Sequence, residues 1–317
     1  MRRFSRMAAL LTAAAFAGCA AAPMPMQAGR PLLSPAELQR YYRYTPVDLA
    51  PTLNSAEPGD GCQIERITLS APVNANLPPI RLDWYKPEGK GRHPAVLMSP
   101  ILAGNDLYVR EFARFYAARG LHAVLVYRKK EVFSSNRPLS DIEDHLRDSV
   151  IQLRRVLDWL EKQDSVDSGK IGSFAISMGA LLTTILAAVD PRIRCSVLGL
   201  PACHIPEILM TSQDKGIRKR RENYLKEKGV TKEQLLAQLR AVIRSEPLAA
   251  APAIPRKKML IIAGLFDRVL GFGRSLELWR AMGRPELIVL PTGHYTAYAV
   301  TPYLKRVTYS FLRRQLR

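Results

Sequence analysis

The feature that most constrains this chain is a regular alternation of short apolar runs with longer amphipathic stretches. The apolar runs have the length and composition of strands that are buried on both faces of a parallel sheet. Six such runs are Ala95–Met98, Ala123–Tyr127, Ile171–Ile176, Ile193–Leu200, Met259–Ala263 and Leu287–Leu290. Two earlier runs alternate in polarity and predict half-buried antiparallel strands, at Gln63–Leu69 and Ile80–Tyr85.

The stretches between these runs carry apolar residues at helical spacing. In Asp141–Gln163 such residues recur every three or four positions, among them Ile142 and Leu146. Further helices are predicted at Asp106–Arg119, Met178–Val189, Leu270–Met282 and Pro302–Leu316. This order predicts one α/β domain over residues 61–317, with a doubly wound, mostly parallel sheet and antiparallel strands at its N-terminal side.

One connection is too long for a plain loop. Nearly sixty residues separate Leu200 from Met259, and they include a charged, helix-like portion, Gln213–Arg244. We predict a helical cap over the functional site, covering about 204–246, with a basic outer face at Lys215–Arg221. A solvated surface insertion is the alternative interpretation.

The first eighteen residues have the pattern of an export signal. A basic start with Arg2, Arg3 and Arg6 precedes the apolar stretch Met7–Ala17, which is too short to span a bilayer. The following Phe16-Ala17-Gly18-Cys19 resembles the bacterial lipobox. The resemblance implies a lipoprotein signal peptide over 1–18, cleavage before Cys19 and a lipid (palmitate) on its thiol. An ordinary cleaved signal peptide with an incidental cysteine is the alternative.

The lipobox resemblance also predicts a location. Ala20 stands where an aspartate would favour the inner membrane, so the chain is expected on the outer membrane, facing the periplasm. Residues 19–60 contain many prolines and are predicted to be a tether and a loosely packed lead-in. One helix is predicted to interrupt them, because Ser34 and Glu37 have capping-box spacing and Pro35 suits the first helical position.

Net charge and cysteine content limit the partners and cofactors that the sequence predicts. The net charge of +19 attracts anionic membranes or polymers, but no nucleic-acid motif or interleaved aromatic pattern is present, so nucleic acid is not a predicted partner. Beyond Cys19 the cysteines are Cys62, Cys195 and Cys203, an odd number whose spacing matches no zinc motif. We expect neither a metal nor an organic cofactor, and the oligomeric state is left open.

A serine lies at the predicted junction of a strand and a helix. The sequence from Lys170 to Gly179 is KIGSFAISMG, which places Ser177 between the strand and the helix that follows. Small residues stand two positions before and after it, at Ala175 and Gly179. The pattern resembles the nucleophile elbow of α/β-hydrolases, in which a sharp turn lifts a serine hydroxyl above the sheet.

An acid and a histidine follow later strands in the order that this fold uses. Asp267 comes shortly after Met259–Ala263, and His294 follows the last predicted strand. Each therefore lies beyond the carboxyl end of a strand, where doubly wound folds place their sites. Glu207, after the preceding strand, is the competing acid, and His204 is a candidate for the pocket wall.

The resemblance implies a role for each residue. Ser177 would attack an ester carbonyl, His294 would take its proton and return it to the leaving group, and Asp267 would orient the imidazole. The oxyanion hole would use the N–H of Met178 and a second N–H after the strand Ala95–Met98. Pro100 has no N–H, so Ile101 and then Leu102 are the candidates.

The sequence thus predicts a serine hydrolase that cleaves carboxylic esters. It is similar to dienelactone-hydrolase-like and peptidase-like esterases over about residues 63–317. Its partners would be a small-molecule or lipid-like ester and the membrane that holds its anchor. A peptidase or amidase with the same triad is one alternative, and a non-catalytic binding lipoprotein on the same scaffold is another.

Overall fold

The computed structural model describes residues 31–101, 106–128 and 133–317. The predicted signal peptide, Cys19 and Leu102 lie outside these residues. The described chain contains a nine-stranded sheet with helices on both faces. Its strands are β1 (Ala50–Gly59), β2 (Cys62–Ser70), β3 (Ile80–Pro87), β4 (His93–Ser99), β5 (His122–Val126), β6 (Val166–Ile176), β7 (Ile193–Gly199), β8 (Met259–Gly264) and β9 (Glu286–Leu290).

The sheet order is β1-β2-β3-β5-β4-β6-β7-β8-β9. The first three strands and β5 pair antiparallel, and every pair from β5 to β9 is parallel. From β4 the chain goes to β5 on one side of it, and then crosses to β6 on its other side, so the order of the strands reverses direction between β4 and β6. Such a switch point leaves a crevice at the carboxyl ends of the two strands, which is where this class of fold binds its ligands.

The α-helices of the described chain either flank the sheet or lie in the long connection between β7 and β8. They are α1 (Pro35–Tyr41), α2 (Leu107–Ala117), α3 (Ser140–Leu160), α4 (Met178–Val189), α5 (Ile205–Thr211), α6 (Lys215–Lys228), α7 (Lys232–Val242), α8 (Pro247–Ala250), α9 (Phe272–Ala281) and α10 (Thr301–Gln315). The long helix α3 packs with α4 on one face, whereas α2 and α10 pack on the other. Among the described residues, no helix combines the length and apolar character needed to cross a membrane.

Within the predicted tether and lead-in, residues 31–60 form a helix and a strand. Helix α1 begins at the predicted capping box of Ser34 and Glu37, and it is followed by Tyr42, which is buried. The Tyr42 hydroxyl donates to Ser245 Oγ at 2.6 Å, which ties this segment to the main domain. The edge strand β1, which the sequence analysis did not predict, then pairs with β2.

The long connection between β7 and β8 folds into α5, α6, α7 and the short α8. Glu246, which follows α7, is bonded to the start of α5. Its carboxylate accepts hydrogen bonds from the backbone N–H groups of His204 at 2.7 Å and Ile205 at 2.9 Å. The basic run is only partly an outer face: Lys215, Arg218 and Lys219 are exposed, but Arg221 is turned inward. We refer to residues 204–246 as the cap.

The described cysteines are free and buried. Burial raises the pKa of Cys195 to about 12, so its thiol stays protonated at neutral pH. Cys195 pairs with Gly172 in the middle of the sheet, and its sulfur packs where a Cβ on that glycine would come within 3.1 Å. Cys195 is therefore a core residue, as its apolar surroundings in the sequence predict.

Candidate active site

Ser177 lies in the turn between β6 and α4, and its backbone has a conformation that L-residues rarely adopt. Its φ is 57° and its ψ is −127°. The backbone is held on one side by the Ser177 N–H, which donates to Gly199 O at 2.9 Å, and on the other by the first bonds of α4. A strained, tightly held serine at this position is the geometry of a nucleophile elbow.

Gly179 allows the elbow to approach the neighbouring loop. A Cβ at this position would lie 2.7 Å from Ser99 O and 2.9 Å from Pro100 O, closer than real contacts allow. The start of α4 therefore packs directly on the backbone that follows β4. The small residue that the sequence pattern required after the serine has this steric cause.

The structure brings together the three side chains that the sequence singled out. Ser177 Oγ lies 2.9 Å from His294 Nε2, and His294 Nδ1 lies 2.8 Å from Asp267 Oδ2. All three residues follow strands, β6, β8 and β9, at the same edge of the sheet. Asp267 and Ser177 are buried, and the His294 side chain is 9% exposed.

Backbone contacts between two loops fix the separation of Asp267 and His294. Phe266 N–H donates to Thr292 O at 3.0 Å, and Leu265 N–H donates to Leu290 O at 2.9 Å. A Cβ on Gly264 would come within 2.9 Å of Thr292 O, so the two loops also touch sterically. The loops that carry the acid and the histidine therefore form one rigid unit.

The surroundings of Asp267 keep it ionised. Burial alone would raise the pKa of this carboxyl, but the hydrogen bond and charge of His294 act in the opposite direction. The N–H groups of Leu270 and Val269 also donate to Asp267 Oδ1, at 3.0 and 2.8 Å. These contacts outweigh burial and lower the pKa of Asp267, so one oxygen is held by backbone while the other faces the imidazole.

The partly buried guanidinium of Arg128 holds the loop after β4, which was predicted to complete the oxyanion hole. Arg128 Nη1 donates to Pro100 O and Nη2 donates to Ile101 O, both at 2.9 Å. Burial lowers the pKa of Arg128 to about 10, and Asp106 partly opposes this effect. Arg128 therefore remains charged at neutral pH, and it fixes the direction of two consecutive peptide groups in this loop.

Two of the three residues predicted to form the oxyanion hole can be located relative to the cavity. Met178, the first residue of α4, and Ile101 both line the cavity that contains Ser177 and His294. Leu102 is outside the described residues. Arg128 was not among the predicted site residues, although a charged residue directly after a predicted buried strand was a usable signal.

The cavity beside Ser177 has a volume of about 640 Å³, and the cap forms part of its wall. Its lining is predominantly aliphatic and aromatic, which is typical of small-molecule sites. The cap contributes Ile205, Ile208, Leu209, Asp214, Gly216, Ile217 and Arg220. Seven described residues of the insertion therefore face the cavity that contains Ser177 and His294.

A hydrogen bond joins the cap to the loop of His294. The Tyr295 hydroxyl donates to Asp214 Oδ2 at 2.5 Å, and Asp214 also caps α6 through the Ile217 N–H. Burial and the neighbouring Asp214 carboxylate raise the pKa of Tyr295, so the phenol stays protonated. This contact spans the mouth of the cavity directly beside the histidine.

Two further residues that the sequence suggested for the site do not line the cavity. Glu207, the competing acid, pairs with Arg240 at 2.7 Å and lies within the cap. His204, the predicted pocket-wall candidate, instead bonds Glu277, with 2.9 Å between His204 Nε2 and Glu277 Oε1. Besides His294, a second histidine lines the cavity, His145 of α3.

The described residues contain one group with metal-ligand chemistry. Ligand atoms of Cys203, His204 and Glu277 lie within 4.8 Å of one another. Burial, together with the charges of Glu246 and Glu277, raises the pKa of the Cys203 thiol, which disfavours the thiolate that a metal requires. The sequence spacing could not indicate this group, because Glu277 joins it from a distant helix.

Comparisons by sequence identify no protein family for this chain and a distant relative of unstated activity. No protein-family profile matches the chain. The uncharacterized protein Rv2627c of Mycobacterium tuberculosis is 26% identical over 169 residues, which is 52% of this chain. The matched segment is 37% of that curated relative's length, and its name states no activity.

Solved structures resemble the chain over most of its length. An acetyl xylan esterase from Paenibacillus sp. R4 has a TM-score of 0.67 at 15% identity, covering 91% of this chain and 97% of its own. Acetyl xylan esterase 1 from Thermoanaerobacterium sp. JW/SL YS485 has a TM-score of 0.64 at 14% identity, covering 92% and 99%.

A 2,6-dihydroxy-pseudo-oxynicotine hydrolase is also similar, with a TM-score of 0.58 at 19% identity, covering 80% of this chain and 68% of its own. At such identities the likeness shows the fold and not the reaction. The mostly parallel nine-stranded sheet, its flanking helices and these structural relatives lead to one conclusion. The chain has the α/β-hydrolase fold.

Proposed function

We propose that this protein is a serine hydrolase that cleaves carboxylic esters, with Ser177 as nucleophile, His294 as general base and acid, and Asp267 as its orienting partner. The observation that carries the proposal is the continuous chain of contacts from Ser177 Oγ through the imidazole to Asp267, at 2.9 and 2.8 Å. A structural serine does not require a strained backbone, a buried carboxylate and an open cavity together.

The reaction follows from these positions. The Ser177 oxygen attacks the ester carbonyl while His294 Nε2 removes its proton, and the Asp267 carboxylate stabilises the resulting imidazolium. The imidazolium then gives this proton to the departing alcohol, which leaves an acyl group on Ser177. Water attacks the acyl-enzyme with His294 again as base, releasing the acid and restoring the serine hydroxyl.

The negative charge that develops on the carbonyl oxygen needs donors at the elbow. The Met178 N–H at the start of α4 suits this role, because the helix directs its positive end toward the site. The second donor would come from the loop at Ile101, whose peptide groups Arg128 orients. The structural relatives named as esterases support an ester as the bond that is cleaved.

Hydrolysis of p-nitrophenyl butyrate by the purified chain tests the proposal. We expect Ser177→Ala to lower kcat/KM by about 10⁶-fold, because the nucleophile is removed. Ser173→Ala is the matched control, since Ser173 is a buried serine of β6, the strand that leads to Ser177, and its hydroxyl donates to Ser196 Oγ. Retained turnover in a folded Ser177→Ala variant would contradict the proposal.

A further inference from the structure

We propose that the acyl part of the substrate is an uncharged aliphatic chain much longer than acetyl, held between α3, α4 and the cap. This inference rests on the proposed function, because it assigns a substrate class to the same site. It differs from what the names of the acetyl xylan esterases among the structural relatives would suggest for this chain.

The size and chemistry of the cavity support a long apolar group. A volume of about 640 Å³ is far larger than an acetyl group needs. The side chains at the enclosed end are aliphatic and at most 5% exposed. They are Ile142 and Leu146 of α3, Leu181 of α4, Ile205 and Ile208 of α5, and Leu270.

The position of His294 decides which half of the ester occupies the enclosed end. The imidazole must protonate the leaving oxygen, so the leaving group lies on the His294 side of Ser177. On that side the cavity is bordered by Tyr295 and Tyr298, which are 65% and 62% exposed. This is the mouth, through which an alcohol can leave. The acyl group therefore extends the other way, toward the buried aliphatic side chains.

The charges of the cavity favour a neutral chain. The carboxylate and the guanidinium among its described lining residues, Asp214 and Arg220, both belong to the cap, and Asp214 is held at the mouth by Tyr295. The lining also contains two imidazoles, His294 and His145 of α3. The described aliphatic side chains of the enclosed end offer no counter-ion, and burying an unpaired carboxylate there would be costly. A chain that ends in a charge is thus disfavoured, whereas each buried methylene adds favourable apolar contact.

The first experiment is a chain-length series on the wild-type protein. The substrates are p-nitrophenyl esters from acetate to dodecanoate, which share one leaving group, and a second series of acetate esters with alcohols of the same lengths. We expect kcat/KM to rise at least 10-fold from the acetate to the octanoate ester. We expect a smaller gain along the alcohol series, because that half of the substrate faces the mouth.

A pair of isoleucine variants tests the location of the chain. Ile142→Trp should fill the enclosed end and reduce the octanoate-to-acetate ratio of kcat/KM by about 10-fold. Ile151→Trp is the matched control, because Ile151 is equally buried on the same helix but lines the polar groove on another side. We expect that control to keep the wild-type ratio.

The outcomes separate this inference from the proposed function. A wild-type protein that hydrolyses acetate as well as octanoate through Ser177 would overturn the inference and leave the proposed function intact. A preference that appears only along the alcohol series would place the aliphatic chain in the leaving group and would also overturn it. An unchanged ratio in a folded Ile142→Trp variant would do the same. Absence of any Ser177-dependent ester hydrolysis would contradict the proposed function itself.

Discussion

Helix α3 borders two cavities of similar volume and opposite chemistry. The first, of about 640 Å³, contains Ser177 and His294 and is lined mainly by apolar side chains. The second, of about 740 Å³, is a polar groove. Its charged lining residues are Arg43, Arg81, Arg128, Arg137, Asp141, Asp144, Arg147, Asp148 and Arg155.

The difference shows that charge alone does not mark the reactive site. The groove contains more ionic side chains, but some of them neutralise each other, as Arg137 and Asp141 do at 2.7 Å. The apolar cavity contains few charges, and its low dielectric strengthens each one that takes part in the reaction. We therefore expect substitutions at the apolar cavity to change chemistry and substitutions at the groove to change much less.

After the loss of the nucleophile, the largest expected effect distinguishes the two candidate acids. Asp267→Asn should lower kcat about 10³- to 10⁴-fold, because an amide can neither stabilise the imidazolium nor select the productive tautomer. Glu207→Gln is the control, since Glu207 pairs with Arg240 in the cap and not with His294. Steady-state kinetics on both folded variants would check this assignment, and a larger loss in Glu207→Gln than in Asp267→Asn would reverse it.

A smaller effect is expected at Arg128, the side chain that connects the groove with the reactive cavity. Arg128→Met would leave Pro100 O and Ile101 O without these two donors and free the loop to reorient. We expect kcat to fall about 10- to 100-fold with little change in KM, since the loop acts in the transition state. Arg128→Lys should recover part of the loss.

Arg155→Met provides the comparison for Arg128. Arg155 lines the groove and its guanidinium lies 5.7 Å from the Tyr44 ring, away from the loop after β4. It should retain nearly full kcat. Equal losses of kcat in Arg128→Met and Arg155→Met would mean that the effect is one of stability, which thermal denaturation of both variants would reveal.

The last expected effect concerns stability instead of catalysis and lies outside both cavities. Burial lowers the pKa of His122 to about 4, and its neutral ring accepts from Trp84 Nε1 while Nε2 contacts Ser165 O. The unfolded chain binds this proton below about pH 6.5 and the folded chain does not. Stability should therefore fall by about 3 kcal/mol as pH drops from 6.5 to 4.

Urea denaturation at several pH values would measure this slope for the wild type and His122→Gln. The variant should lose much of the pH dependence in that window, since its amide does not titrate. An identical slope in both proteins would assign the acid sensitivity to other groups. The result also separates acid unfolding from acid effects on the site, which a profile of activity alone would combine.

The sheet and the elbow could be predicted because their signals are local. Each buried strand is a continuous apolar run, and Ala175 and Gly179 flank Ser177 where the turn demands small residues. Strand β1 was not predicted from the sequence, because it contains Pro51 and Pro58, and proline is more typical of loops than of strands. An edge strand tolerates them, since one of its sides needs no backbone donors.

The walls of the cavity could not be predicted, because they depend on how helices are placed in space. The periodicity of α3 identifies Ile142 and Ile151 equally as apolar positions, although they face different cavities. Likewise, nothing in the sequence near Tyr295 indicates its contact with Asp214, eighty-one residues away. Such contacts arise from the packing of the cap on the sheet.

The most direct test of the account is the site of covalent modification by a fluorophosphonate probe. The folded protein should take up one probe per chain, peptide mapping should place the adduct on Ser177, and His294→Ala should slow the modification strongly. A folded, soluble protein that remains unmodified, or that carries the adduct on another residue, would contradict the assignment of Ser177 as the nucleophile.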